Sequence, residues 1–178
     1  MKLRQKVMHL IAGSALAVMC VGSLQAATVN FDGATNGEPL VTGGFSFDVA
    51  RIVSGNCGID EPCLALGPND SSVMTLFGGG AFNLSSLWFK NLGQPSSLLI
   101  TSYDVLGGIL NSIAYPSVHN AGDTLTFAGL FDGIFKVRFT DSGEGNIRID
   151  DINASPVPMP PVPLPAAGGL MLAALAGL

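Results

Sequence analysis

"IFKVRFT", residues 134–140, decides the fold class. Phe135, Val137 and Phe139 fall on one side of an extended chain, Lys136 and Arg138 on the other. That period-two alternation belongs to a strand with one face on a core and the other in water. "GFSFDV", residues 44–49, repeats it, with Phe45, Phe47 and Val49 predicted inward and Ser46 and Asp48 outward. Further runs rich in Phe, Val, Ile and Thr read as strands: "TVNF", "GFSFDVARIV", "CLAL", "SVMTLFG", "FNLSSLWFKNL", "SLLITSYDVL", "ILNSIAY", "TLTFAG" and "NIRIDDI". Turn-forming clusters separate them, among them "LGPND", "FGGGA", "NLGQPS" and "DSGEGN". No long stretch of this body carries a 3.6-residue apolar period. The expectation is an all-β, antiparallel β-sandwich, jelly-roll-like, with about eight or nine strands in two packed sheets.

The 178 residues hold one such domain, expected over 27–152, with an extra segment at each end. Residues 1–26 read as a secretory signal peptide. Lys2, Arg4 and Lys6 form a basic head, residues 10–22 an apolar run, and residues 23–27 a small-residue exit with cleavage expected after Ala26. The run is shorter than the roughly 20 residues a membrane span needs. Lipidation at Cys20 is disfavoured by Met19, which stands where a small residue is expected. Export through a Sec-type translocon leaves five basic residues against 13 acidic ones, a net charge near −8. A surface of that sign repels nucleic acid and anionic lipid.

Export also leaves two cysteines, Cys57 and Cys63, with Gly58 and Pro62 between them. In an oxidising compartment a local disulfide is the natural expectation. A metal site there would lack ligands, since only Asp60 and Glu61 are near and no histidine is.

Enzyme motifs are sparse. "FGGGAF" lacks the Gly-Lys-Ser/Thr ending of a phosphate loop, and His119, the one histidine past the signal segment, has no nucleophile-elbow motif to serve. Glu38, Glu61 and Glu144 all fall in turns, where solvated carboxylates are the default; an enzyme acting on glycans through such carboxylates is the alternative function. Aromatic residues on strands offer a binding surface instead, because sugar faces stack on flat rings. Trp88, Tyr103 and Tyr115 are the candidates, with Trp88 outward because Leu87 and Phe89 take the other side of its strand.

The opening "NFDG" and the closing "IRIDDI" resemble the ends of galactose-binding-like jelly rolls and carbohydrate-binding modules. That resemblance implies first and last strands lying together, with acids near them holding a structural Ca²⁺. Carried over, the candidate ligands are Asp32 and Asp150, with Asp151 as an alternate.

Residues 153–165, "NASPVPMPPVPLP", read as a stiff proline-rich linker, and residues 166–178 as an apolar helix of about 20 Å, short of the roughly 30 Å hydrocarbon core. "VPLPAAGGLMLAALAGL" resembles the VPLPA variant of the PEP-CTERM sorting signal, with Val162, Pro163, Leu164, Pro165 and Ala166 as the motif. The resemblance implies export in a Gram-negative bacterium, tethering in the inner membrane through the C-terminal helix, recognition by an exosortase-type protease, and delivery to the cell surface or an exopolysaccharide matrix. The class normally closes on arginines, which do not follow Leu178, so a shortened signal and a longer parent chain both stay open. The sequence thus predicts a non-enzymatic exported module that binds a glycan, with a purely structural surface protein as a further alternative.

Overall fold

The computed structural model describes residues 26–35, 40–49, 51–58, 62–116 and 121–158. The signal segment, the VPLPA motif and the terminal apolar helix lie outside these residues, as do Glu38, Asp60, Glu61 and His119. Twelve strands follow in order: β1 (Ala27–Val29), β2 (Leu40–Thr42), β3 (Phe45–Phe47), β4 (Arg51–Val53), β5 (Cys63–Leu66), β6 (Ser71–Leu76), β7 (Phe82–Gly93), β8 (Ser97–Tyr103), β9 (Ile109–Pro116), β10 (Gly122–Thr126), β11 (Lys136–Asp141) and β12 (Gly145–Pro156).

They form two antiparallel sheets, so the chain is the all-β sandwich that the alternation predicts. The first sheet runs β10-β7-β12-β5-β4, with β1 also on β12; the second runs β2-β3-β6-β11-β8-β9. β1 and β5 share one edge of β12, end to end: Val29 faces Ile152, and Leu64 faces Ile149. The first and last strands therefore do lie together.

Alternation builds the core between the sheets. From the first sheet come Phe82, Leu84, Leu87, Phe89, Ile147, Ile149 and Ile152; from the second, Phe45, Phe47, Met74, Leu98, Ile100, Val137 and Phe139, all essentially without solvent exposure. Edge-to-face contacts such as Phe45–Phe82, at 5.2 Å between ring centres, join the layers.

Besides the twelve strands found among the described residues where about eight or nine were expected, three features depart from the sequence reading. "GFSFDVARIV" is not one strand: β3 pairs in the second sheet and β4 in the first, so the chain changes layers after Phe47. Side chains hold that crossing, since Asp48 accepts from the amides of Val49 (2.7 Å) and Val73 (2.6 Å), and the Ser72 hydroxyl donates to the Val49 carbonyl. Val49, expected inward, is consequently exposed. The short strand Leu40–Thr42 was not anticipated. β12 continues to Pro156, past the expected body boundary at 152; proline is tolerated there because it closes the strand.

The two ends of the sandwich differ in chemistry. One end gathers the 77–81 turn, the 104–108 hairpin tip, the 128–135 turn and the exit of β12, linked by bonds such as Val157 N to Ala81 O and Phe135 N to Tyr103 O. Phe77, Val105, Leu106 (92% exposed), Ile109, Leu110 and Leu130 project from it or beside it. The opposite end, where β7 turns into β8 and β11 into β12, is polar.

Candidate functional site on the outer face of the first sheet

The outward phase of β7 places Trp88 and Lys90 on the back of the first sheet, where register makes them neighbours of specific residues. Trp88 lies between Thr124 of β10 and Asp150 of β12; Lys90 lies between Gly122 and Arg148. Arg148 in turn faces Ala65 of β5, which faces Arg51 of β4. The face thus carries one row of Thr124, Trp88 and Asp150, and beside it a basic row of Lys90, Arg148 and Arg51.

Two glycines seat the indole. A Cβ on Gly122 would stand 2.4 Å from Cζ2 and 2.9 Å from Nε1 of Trp88, and one on Gly58 3.3 Å from Cδ2. No real Cβ tolerates the first distance, so glycine is required on β10 for the ring to lie where it does. Gly58 belongs to the loop closed by the Cys57–Cys63 disulfide, whose Cα atoms are 5.5 Å apart. The expected disulfide is therefore present, and Gly58 beside it lies against the tryptophan ring.

Arg148 is the most constrained cation. Its Nη1 donates to the Ile147 carbonyl at 3.3 Å, while its Nε is buried without a hydrogen-bond acceptor. Burial first, and then the positive charge of Arg51, hold the guanidinium below its ordinary value. It stays charged, since an arginine pKa starts so high. Two neighbouring cations and an unused donor make this row a place where an anionic oxygen would be welcome.

The structure separates the three aromatic candidates. Trp88 is half-buried on this face. Tyr103 sits on the outer face of the second sheet, buried beneath Lys136, whose Nζ lies 4.2 Å from the ring centre, with the Arg138 guanidinium at 5.7 Å. Tyr115 turns inward from β9 and packs 5.9 Å from Phe127; burial pushes its phenol up from the ordinary value. They do not form one platform. Sequence reasoning found Trp88 but missed Lys90, Arg148 and Arg51, whose adjacency exists only once strand order and register are set.

The acids of the candidate calcium site differ in exposure. Asp32 is exposed in a turn and accepts from Asn30 Nδ2 at 2.7 Å. Asp150 is buried beside Trp88 and accepts the Asp151 amide at 2.9 Å, where Asp151 takes φ of 46° in a bulge of β12. Among the described residues no three or more His, Cys, Asp or Glu side chains gather as a metal-holding group. Glu144 is exposed in the β11–β12 turn. No helix among the described residues is long and apolar enough to cross a membrane.

No protein-family model matches the sequence, and no curated protein matches it. Among solved structures, a DUF4465 family protein from Bacteroides caccae superposes with a TM-score of 0.51 at 11% identity, covering 75% of this chain and all (100%) of that one. A family 29 carbohydrate-binding module from Piromyces equi (TM-score 0.43, 12% identity, 76% of this chain and 92% of that one) is also similar. So is the family 11 carbohydrate-binding module of a Clostridium thermocellum cellulosomal cellulase (0.40, 16%, 79% and 99%). The first likeness bears on the fold alone. The other two superpose too loosely for anything to be drawn from them.

Proposed function

We propose that the chain is an exported, non-enzymatic β-sandwich of the cell surface or extracellular matrix, and that it binds an acidic glycan across the back of its first sheet. The observation that carries this is the half-buried indole of Trp88, fixed between two glycines and flanked by Lys90, Arg148 and Arg51. A sugar ring stacks on the indole, and a carboxylate or sulfate on the next residue meets the basic row. In a chain of net negative charge, a local row of cations selects for an acidic polymer. Thr124, exposed on β10, supplies a hydroxyl for hydrogen bonds to the sugar.

The disulfide supports an oxidising destination. The apolar end of the sandwich lies where β12 hands over to the proline-rich linker, an orientation suited to a body seated on the membrane that its tail enters. Recognition of Val162–Ala166 by an exosortase-type protease remains part of the same proposal.

The test is affinity electrophoresis of the purified full chain in gels containing polygalacturonate, with neutral β-glucan as control. Retardation by the acidic polymer, lost in Trp88→Ala and reduced several-fold in Lys90→Ala and Arg148→Met, is the expected pattern. Equal migration in both gels would leave a purely structural surface protein, and turnover of either polymer would establish the enzyme alternative.

A further inference from the structure

The apolar end of the sandwich takes no part in the glycan face. Three separate turns meet there, residues 77–81, the 104–108 hairpin tip and residues 128–135. Phe77 (65%), Val105 (68%) and Leu106 are mostly exposed, with Ile109, Leu110 and Leu130 beside them. Single apolar residues on a surface need no explanation, but six gathered at one end mark an interaction site.

Charge is scarce among them. The 77–81 turn carries none, residues 104–110 only Asp104, and residues 128–135 only Asp132. Asp104 is turned back into its own hairpin, where its Oδ1 accepts the amides of Leu106 (2.9 Å) and Gly108 (2.7 Å). The Asp104 amide donates to the Gly108 carbonyl at 2.9 Å, and the Gly107 amide to the Asp104 carbonyl at 3.2 Å. The amides of Phe77, Gly79 and Leu130 also donate within the protein, to the carbonyls of Gly44, Leu76 and Phe127. Lipid offers a backbone donor no acceptor, so donors already satisfied are what apolar surroundings require.

The path of the chain identifies the apolar partner. Both ends of the body leave here, since Ala27 faces Ala154 and the Val157 amide donates to the Ala81 carbonyl. Eight residues, 158–165, then lead to the apolar run 166–178, and eight residues reach roughly 30 Å at most. A bilayer entered by that run is therefore held within reach of the three turns. Leu106 stands almost free at the tip of a hairpin, a projecting shape that sinks into a fluid interface rather than enclosing a partner.

We infer that the turns bearing Phe77, Leu106 and Leu130 insert into the interfacial layer of a zwitterionic phospholipid bilayer, so that the body stands upright on the membrane instead of swinging from its tail. Lys136, the first residue of β11, pairs with Tyr103 at the base of the hairpin and is placed to meet a lipid phosphate. The net negative charge of the chain disfavours an anionic bilayer. Upright seating points the polar end away from the lipid and turns the Trp88 face sideways. The inference rests on the membrane tether of the proposed function and is independent of glycan binding.

The experiment is ¹H–¹⁵N spectroscopy of the full chain with phosphatidylcholine bicelles in which some lipids carry a nitroxide on the acyl chain. The amides of Phe77, Val105, Leu106 and Leu130 are expected to lose at least half their intensity, while those of Gln94 and Gly143 at the polar end stay sharp. Leu106→Asp should reduce the loss at the tips several-fold and leave retardation by polygalacturonate as in wild type; Val105→Asp is the second variant. Diffusion slowed to that of the bicelle without selective loss at the tips would keep the tether and overturn the insertion. Release of Leu106→Asp from bicelles altogether would support the insertion and overturn the tether. A lipid-free dimer dispersed by Leu106→Asp would give this end to a second copy, and contacts between the tips and residues 166–178 would give it to the tail; either overturns the inference.

Discussion

Gly122→Ala tests the seat of the tryptophan. The new Cβ would stand 2.4 Å from Cζ2, 2.8 Å from Cε2 and 2.9 Å from Nε1 of Trp88, all ring atoms, so relief requires the indole to swing or β10 to move. Overpacking of this kind costs about 1–3 kcal/mol. Against it stands the gain from replacing a strand glycine by alanine, about 0.5–1 kcal/mol. A net loss of about 0.5–2 kcal/mol is expected in the wild-type background. In a Trp88→Ala background the clash is gone and the same substitution becomes neutral or stabilising by up to about 1 kcal/mol. Urea unfolding of the four proteins of this cycle reads the coupling, expected near 1–3 kcal/mol. Glycan retardation should fall in Gly122→Ala even at temperatures where the variant is fully folded, because the ring has been displaced. An identical ΔΔG in both backgrounds would refute the reasoning: the indole would then not lie against Gly122.

Other outcomes follow from the same geometry. Replacing Cys57 and Cys63 together by serine should cost about 2 kcal/mol for so short a loop, read by urea midpoint, and should weaken glycan binding because Gly58 loosens against the ring. Phe82→Ala removes a fully buried ring that touches both layers, at about 3–5 kcal/mol by the same assay. Tyr115 ionises later in the folded than in the unfolded chain, so the folded state holds more protons and stability falls as pH rises above 10. Tyr115→Phe should flatten that alkaline decline in a series of urea midpoints. Sodium chloride should weaken binding to polygalacturonate more steeply in wild type than in Arg148→Met.

Strand alternation made most of the fold legible, and Leu87-Trp88-Phe89 even announced which way the indole faces. What lay beyond reach depended on partners distant in sequence. Nothing within "GFSFDVARIV" says that Asp48 will be taken by the Val73 amide and Ser72 by the Val49 carbonyl, so the change of layer looked like one strand. The basic row is assembled from β4, β7 and β12, and only register brings Lys90 opposite Arg148. Asn91 and Asp141, buried on the core-facing sides of β7 and β11, were different: each breaks an inward apolar phase, a signal present in the sequence that alternation alone could have flagged. Trp88, Tyr103 and Tyr115 lie on different faces because strand parity assigns a face, not a sheet.

Trp88 is the sole tryptophan of the chain, which makes its indole N–H a single, unambiguous reporter. In a ¹H–¹⁵N titration of the full chain with an acidic oligosaccharide, that resonance and the amides of Lys90 and Arg148 should shift together along one saturable curve. Shifts centred instead on Tyr103 and Lys136, or none at all, would contradict the glycan face proposed for the first sheet.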